Sequence, residues 1–325
     1  MVLSMISRTV ELKIFLLPLF LLSCSSQSQE ELIFDDSLDT WGQITDLEPD
    51  FFAANDVTSE ALALTKEYYK IASDNWGSYG PLEFWLVGKS EESAKQLDVE
   101  YCALRTLKSP SIPEEHCLDR EYNFVQYASE GNAGLNLRRS DYEEWSGFII
   151  TMTSKNPSPT EDDYKPILFH EYFHVYQQAH VYTRDHEKRQ EMCKENPWWL
   201  EGGAEYMGQF LYSKQEGVRD GYFKEVMGWK LHSIANLQNN QRIEDISYGP
   251  NARVAYDLGA WFIAFLIHKT SEEAYRIDFF RDLNDLGFEG SFMKNFGASS
   301  DSMLDDFHHV FLKLPNHEQL AILPE

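Results

Sequence analysis

The sequence predicts an α+β fold, in which a small N-terminal mixed sheet packs on a mainly helical domain. The chain has 325 residues, of which 43% are hydrophobic and 14% aromatic, so it can bury a sizeable core. Strand-like segments are confined to its first half, and the pattern from Pro166 onward is helical. Strands followed by a run of helices are typical of the α+β class.

The first residues have the pattern of an export signal. Arg8 and Lys13 precede an apolar run that ends at Leu22 and is too short to span a bilayer. The segment LLSC, which ends at Cys24, resembles a bacterial lipobox. We therefore predict a signal peptide over residues 1–23 and a lipid on Cys24. The alternative is an ordinary secretory signal that is cut a few residues later.

Residues 24–50 are polar and acidic with little periodicity, which is typical of a tether between an anchor and a folded body. The expected location is the bacterial cell envelope, with the protein lipid-anchored to a membrane and facing the periplasm or the exterior. Because Ser25 follows Cys24, the pattern in a Gram-negative cell favours the outer membrane. The formal net charge of -25 argues against a nucleic-acid partner.

An exported chain meets an oxidising compartment, which makes disulfide formation the expectation. Apart from Cys24, the cysteines are Cys102, Cys117 and Cys193. Cys102 and Cys117 flank a proline-containing loop, and we prefer them as the bonded pair. The alternative is that all three remain reduced.

Periodicity and residue type predict an N-terminal α/β portion over residues 51–146 and a helical portion over residues 147–325. Helices are expected at 58–73 and 91–104, and strands at 81–88, 121–128 and 147–154. Further helices are expected at 166–181, 197–214, 219–238, 251–269, 272–286 and 301–313.

The helix that follows Pro166 contains the segment HEYFH. His170 and His174 lie one turn apart, so both imidazoles project from one side of the helix and can converge on one ion. The same pattern is expected by chance in about a few chains per hundred. It can therefore also be an ordinary helix face. A catalytic zinc needs a third protein ligand, with the fourth position open for water.

The segment NPWWLEGGAEYMG offers that ligand. Asn196 and Pro197 are typical of a helix start, and Glu201 and Glu205 then lie one turn apart on a shared face. The small residues between the two glutamates would allow this helix to approach another closely. Two carboxylates on such an apolar helix are poorly explained as solvated surface charge.

These motifs resemble the gluzincin metallopeptidases, the thermolysin-like and aminopeptidase-like zinc enzymes. The resemblance covers roughly residues 147–313 and includes a looser match at Tyr256–Thr270. It implies a zincin-like catalytic domain that binds one Zn²⁺ per chain. The implied ligands are His170, His174 and Glu201, with Glu171 as the general base.

The resemblance further implies that Glu205 orients a ligand histidine, although Glu205 could instead replace Glu201 as the third ligand. It implies that Tyr256 steadies the oxyanion, with Tyr248 as the alternative. The strand at 147–154 resembles the edge strand on which the family binds an extended substrate backbone. As alternatives, Tyr256 could be a core aromatic and the strand purely structural.

The expected function is that of a zinc-dependent metallopeptidase acting on a peptide or protein substrate. The G-x-M-E-N motif with which related aminopeptidases hold a free amino terminus is absent, so we expect an endopeptidase. The alternative is a non-enzymatic envelope lipoprotein that uses zinc structurally or the cleft for partner binding. Glu171 argues against that alternative, because a structural zinc site needs no general base.

Overall fold

A computed structural model describes residues 39–154, 158–159, 161–194, 196–238 and 241–324. The described residues from Asp39 onward belong to one compact unit. The predicted signal peptide (1–23), the predicted lipidation site Cys24 and the first part of the predicted tether lie outside the described residues.

The sheet has four strands: β1 (Asp50–Ala53), β2 (Leu82–Val87), β3 (Gly134–Arg138) and β4 (Gly147–Thr153). Their order is β1-β2-β4-β3; the first two pairings are parallel, and β3 runs antiparallel to β4. The predicted α+β fold with a mixed sheet is therefore confirmed. The strand at 147–154 also exists, but its assignment as an edge strand is wrong, because β4 lies between β2 and β3.

Every residue of β2 and β4 is buried. Phe84 and Ile150 belong to the main hydrophobic core, whereas Trp85 and Ile149 belong to a second cluster on the opposite face of the sheet. Because successive side chains of a strand point to opposite faces, both faces of the sheet are covered. This double burial explains why the two strands are apolar throughout instead of alternating with polar residues.

Helices make up most of the rest of the unit. On the N-terminal side are α1 (Ser59–Trp76), α2 (Glu91–Lys108), α3 (Glu114–Leu118) and α4 (Phe124–Glu130). On the C-terminal side are α5 (Tyr164–Ala179), α6 (His186–Cys193), α7 (Leu200–Ser213), α8 (Tyr222–Lys230), α9 (Ala252–Lys269), α10 (Phe279–Phe296), α11 (Ser300–His309) and α12 (Asn316–Leu320). None of the helices in the described part of the chain combines the length and apolarity needed to cross a membrane.

The strand predicted at 121–128 is wrong, because this segment forms α4. Asn123 accepts hydrogen bonds from the backbone N–H groups of Val125 and Gln126, and the side chain of Gln126 accepts one from the Asn123 N–H. This reciprocal capping box fixes a helix start. Here it overrides the β-propensity of the aromatic and β-branched residues.

Two of the predicted C-terminal helices are subdivided. The segment expected at 219–238 is α8 followed by a 3₁₀ helix over Leu231–Asn236. The segment expected at 272–286 begins as a π-helical turn, Ala274–Asp278, and continues into α10, which is interrupted at Gly287 with φ 67°. The helical segment therefore extends beyond residue 286, the predicted end.

The described end of the predicted tether packs against the folded body. The Trp41 ring stacks on Phe148 at a centroid distance of 4.5 Å. Its indole N–H donates to the backbone oxygens of Gln178 and Val181, each at 3.2 Å. The boundary between tether and body therefore lies before Trp41 and not at residue 50.

A disulfide joins Cys102 on α2 to Cys117 on α3, which confirms the preferred pairing. Cys193 is a buried free thiol.

Candidate metal centre

Helix α7 lies in close backbone contact with α5. A Cβ added at Gly208 would come within 2.9 Å of the His170 nitrogen and the Pro166 oxygen. Glycine is therefore required at this crossing, since real Cβ contacts are not that short. The close approach brings the glutamates of α7 next to the histidines of α5.

The side chains of His170, His174 and Glu201 converge on one point. The two Nε2 atoms are 3.1 Å apart, and they lie 3.2 Å and 3.1 Å from Glu201 Oε2. All three residues are buried, and together they form a group that could hold a metal ion. A tetrahedral zinc with bonds of about 2.0–2.1 Å would separate its ligand atoms by roughly 3.3 Å.

The hydrogen bonds behind the imidazoles fix which nitrogens face the centre. Gln177 donates through Nε2 to the Leu200 oxygen at 2.9 Å, so its Oε1 accepts from His174 Nδ1 at 2.7 Å. His170 Nδ1 lies 3.2 Å from a Glu205 carboxylate oxygen, which also accepts. Both Nδ1 atoms therefore carry hydrogen, and in the neutral rings both Nε2 lone pairs point at the Glu201 carboxylate. Three electron-pair donors facing one another fit a bound cation.

A chain of buried charges continues behind His170. Lys230, from the end of α8, forms an ion pair with Glu205 and lies 3.2 Å from an oxygen of Asp257 on α9. Asp257 also accepts from the Ser233 hydroxyl at 2.6 Å. Burial opposes the charge on Glu205, but Lys230 and His170 outweigh it and hold the pKa of Glu205 well below its usual range. The carboxylate that orients His170 is therefore ionised.

Two tyrosines approach the third member of the group. The Tyr248 hydroxyl donates to Glu201 Oε1 at 2.7 Å, although its side chain is half exposed. The Tyr256 ring lies parallel to the His170 ring at a centroid distance of 6.3 Å. Burial, followed by the negative charges of Glu201 and Glu171, raises the pKa of Tyr256, so that its hydroxyl stays protonated at neutral pH. Both hydroxyls therefore lie beside the Glu201 carboxylate and carry the hydrogen that a donor at the centre needs.

Glu171 lies beside the converging group and not within it. Burial raises its pKa above the ordinary value, and the neighbouring His170 and His174 oppose this shift. The backbone of Leu135 on the edge strand β3 offers its carboxylate a hydrogen bond. A raised pKa brings a carboxylate closer to the range in which it can both take and return a proton.

The group opens onto a cleft of about 550 Å³. Its lining includes β3 with the loop before it, and also Tyr248, Arg253 and Tyr256. Leu135, Leu137 and Ile167 make part of the lining apolar. A cleft with an apolar wall and a few converging polar groups is the usual form of a small-ligand or peptide site.

Comparison with known protein families, curated proteins and solved structures finds no match for this chain. The geometry brings together the residues that the sequence singled out: His170, His174, Glu201, Glu171, Glu205, Tyr248 and Tyr256. The metal, its identity and the role of each residue stay predictions.

Three features of the site were not predicted from the sequence: Gln177, Lys230 and the strand β3. Gln177 stands three residues after His174 on the same helix, so helical spacing could have found it. Lys230 gives no such signal, because it is 25 residues from Glu205 along the chain. The short strand β3 begins with a glycine and has only five residues, which leaves little periodicity to detect.

Proposed function

We propose that this protein is a zinc-dependent metallopeptidase that hydrolyses peptide bonds, and that it acts as an endopeptidase. Its zinc would be held by His170, His174 and Glu201, one ion per chain. We also propose that a lipid on Cys24 anchors the enzyme to the bacterial envelope, facing the periplasm or exterior.

One observation carries the proposal. Two imidazole nitrogens and a carboxylate oxygen converge within 3.2 Å of one another at the base of an open cleft, with a second carboxylate, that of Glu171, beside them. A His₂Glu donor set with an open position is a catalytic zinc arrangement. Two histidines and one carboxylate can also hold non-haem iron, so the metal itself has to be measured.

When bound, zinc would act as a Lewis acid toward a water molecule and the substrate carbonyl. The protein side chains carry out the remaining steps. Glu171 accepts a proton from the attacking water and returns it to the nitrogen of the leaving amine, a use that its raised pKa favours. The Tyr256 hydroxyl donates a hydrogen bond to the carbonyl oxygen as negative charge develops there. Tyr248 is the alternative donor, and its hydroxyl would have to turn from Glu201 Oε1 to the carbonyl oxygen to play this part.

The open edge of the sheet supports a peptide as the substrate. β3 is an edge strand, it lines the cleft, and one of its residues, Leu135, reaches Glu171. An edge strand can pair with an extended peptide through main-chain hydrogen bonds. A peptide bound in this way would pass the centre lengthwise, which suits cleavage within a chain.

The proposal is tested by digesting a peptide library with the purified, zinc-loaded full chain and identifying the products by mass spectrometry. We expect cleavage that a chelator stops and added zinc restores. Glu171→Gln is expected to reduce the rate by about 10²- to 10⁴-fold while one zinc per chain remains bound. Zinc binding without any cleavage by the wild type would instead favour the non-enzymatic lipoprotein.

A further inference from the structure

The cleft carries a cation that the proposed chemistry does not use. Among the described residues that line the cleft, Arg253 is the one arginine or lysine. Its side chain is 70% exposed. The chain as a whole has 53 acidic and 28 basic residues, so a positive charge in the cleft runs against the general balance.

Arg253 forms an ion pair within its own helix. Its Nε lies 3.0 Å from an oxygen of Asp257, one turn further along α9. Asp257 is itself fixed by Lys230 and Ser233. The two terminal nitrogens of Arg253 have no hydrogen-bond partner among the described residues, which leaves one edge of the guanidinium group available to a ligand.

The same helix places Arg253 beside the reacting region. Tyr256 is three residues further along α9, and residues at this spacing are neighbours on a helix surface. Tyr256 in turn stacks parallel to His170. A group bound to Arg253 would therefore lie in the cleft, near the centre.

We propose that Arg253 binds a carboxylate of the substrate, so that the preferred substrates are peptides with a carboxylate close to the scissile bond. This rests on the proposed peptidase function. A guanidinium group is suited to the task, since its planar pair of N–H donors matches the two oxygens of a carboxylate. The carboxylate can come from an aspartate or glutamate side chain, which fits cleavage within a chain, or from a substrate C-terminus, which would make the cleavage carboxyl-terminal instead of internal.

The experiment uses four peptides of one sequence that the enzyme cleaves, carrying a C-terminal acid or amide and an Asp or Asn near the cleaved bond. The wild type is expected to prefer a carboxylate-bearing form by about tenfold to a hundredfold in kcat/KM, the size of one charge-assisted contact. Arg253→Met should abolish this preference, so that the four peptides are cleaved with similar kcat/KM. Loss of acid-over-amide preference identifies the C-terminus, and loss of Asp-over-Asn preference identifies the side chain.

Two control variants make the test specific. Arg253→Lys retains the charge without the planar fork and should recover only part of the preference. Arg219→Met removes an arginine that is also paired with a carboxylate but does not line the cleft, and should change nothing. A wild type that treats all four peptides alike, or a preference that survives in Arg253→Met, would overturn the proposal.

Binding separates this inference from the proposed function. The four peptides are titrated calorimetrically into zinc-loaded Glu171→Gln, with and without Arg253→Met. Arg253-dependent binding of a carboxylate-bearing form with no cleavage by the wild type would retain the carboxylate site and reject the peptidase. Cleavage without Arg253-dependent binding would retain the peptidase and reject the carboxylate site. Absence of both would reject both.

Discussion

Two clusters of buried charge lie in different parts of this molecule and differ in what completes them. In the sheet, Glu83 on β2 forms ion pairs with Arg105 and Lys108 and accepts a hydrogen bond from the Trp85 indole N–H. At the helix crossing, the carboxylate of Glu201 faces the Nε2 atoms of His170 and His174. The first cluster balances its carboxylate with cations from the chain itself. The second, with neutral imidazoles, leaves three lone-pair donors facing one another.

This difference distinguishes a structural ion cluster from a predicted metal site. Taking charges out of water is costly, so a buried cluster is stable only if its charges and hydrogen bonds are matched. Burial opposes ionisation at Glu83, while Arg105 and Lys108 outweigh it and lower its pKa. At the crossing, Glu201 and Glu205 overcome the burial of His170 and raise its pKa to about 10. That cluster therefore attracts a cation, and a metal ion can take the place of the proton.

The largest expected effect comes from removing one carboxylate from each cluster. Glu201→Gln should abolish metal binding and activity, because it removes one of three ligands. Glu83→Gln should leave metal content unchanged but destabilise the fold by about 3–5 kcal/mol, because Arg105 remains buried without its partner. Metal analysis and urea unfolding of both variants test this. If the two variants lost metal and stability to the same extent, the two clusters would not differ in their role.

A smaller effect is expected at the residue behind the ligands. Lys230→Met should weaken metal binding by about 10- to 100-fold, because Glu205 loses the cation that fixes it against His170. Competition with a chelator of known affinity measures this. Lys95→Met, at an exposed lysine paired with Glu91, is the matched control. An unchanged metal affinity in Lys230→Met would show that the buried chain of charges does not act on the centre.

The disulfide offers a change confined to the sheet side. Replacing Cys102 and Cys117 together with alanine should lower the free energy of unfolding by about 3 kcal/mol, since the bond closes a 15-residue loop. Metal affinity and activity at low temperature should not change, because the bond joins α2 to α3, away from the cleft. A fall in metal affinity in the folded protein would show that the two regions are coupled.

The smallest effect on the fold is expected from removing the metal. The main core extends through the sheet and most of the helices, so it does not depend on one ion. We expect chelation to leave the circular dichroism spectrum almost unchanged, with faster hydrogen exchange confined to α5 and α7. Global unfolding on chelation would contradict this expectation.

Much of the fold and the site was predictable because it depends on local patterns. The histidine pair and the pair of glutamates each follow helical spacing, and the buried strands β2 and β4 are apolar throughout. The helix α4 was mistaken for a strand because its aromatic residues outweighed the capping signal of Asn123 and Gln126. With attention to that signal, the segment was also predictable.

Other features depend on contacts between distant segments. Arg253 and Lys230 belong to the site only because α8 and α9 pack beside α7, and no spacing rule links them to the histidines. The edge position of β3 likewise depends on strand order, since β4 follows it in sequence but pairs on both sides. Sequence pattern identifies the groups that face the centre more readily than those that hold or surround them.

The most direct test is a titration of the metal-free protein with zinc, following bound metal and peptide cleavage in the same samples. For the wild type, both signals should rise together and stop at one equivalent per chain. For Glu171→Gln, metal should bind with the same stoichiometry and cleavage should stay near the background. Failure to bind one equivalent, or equal cleavage by the two proteins, would contradict the assignment of this helix crossing as a catalytic metal centre.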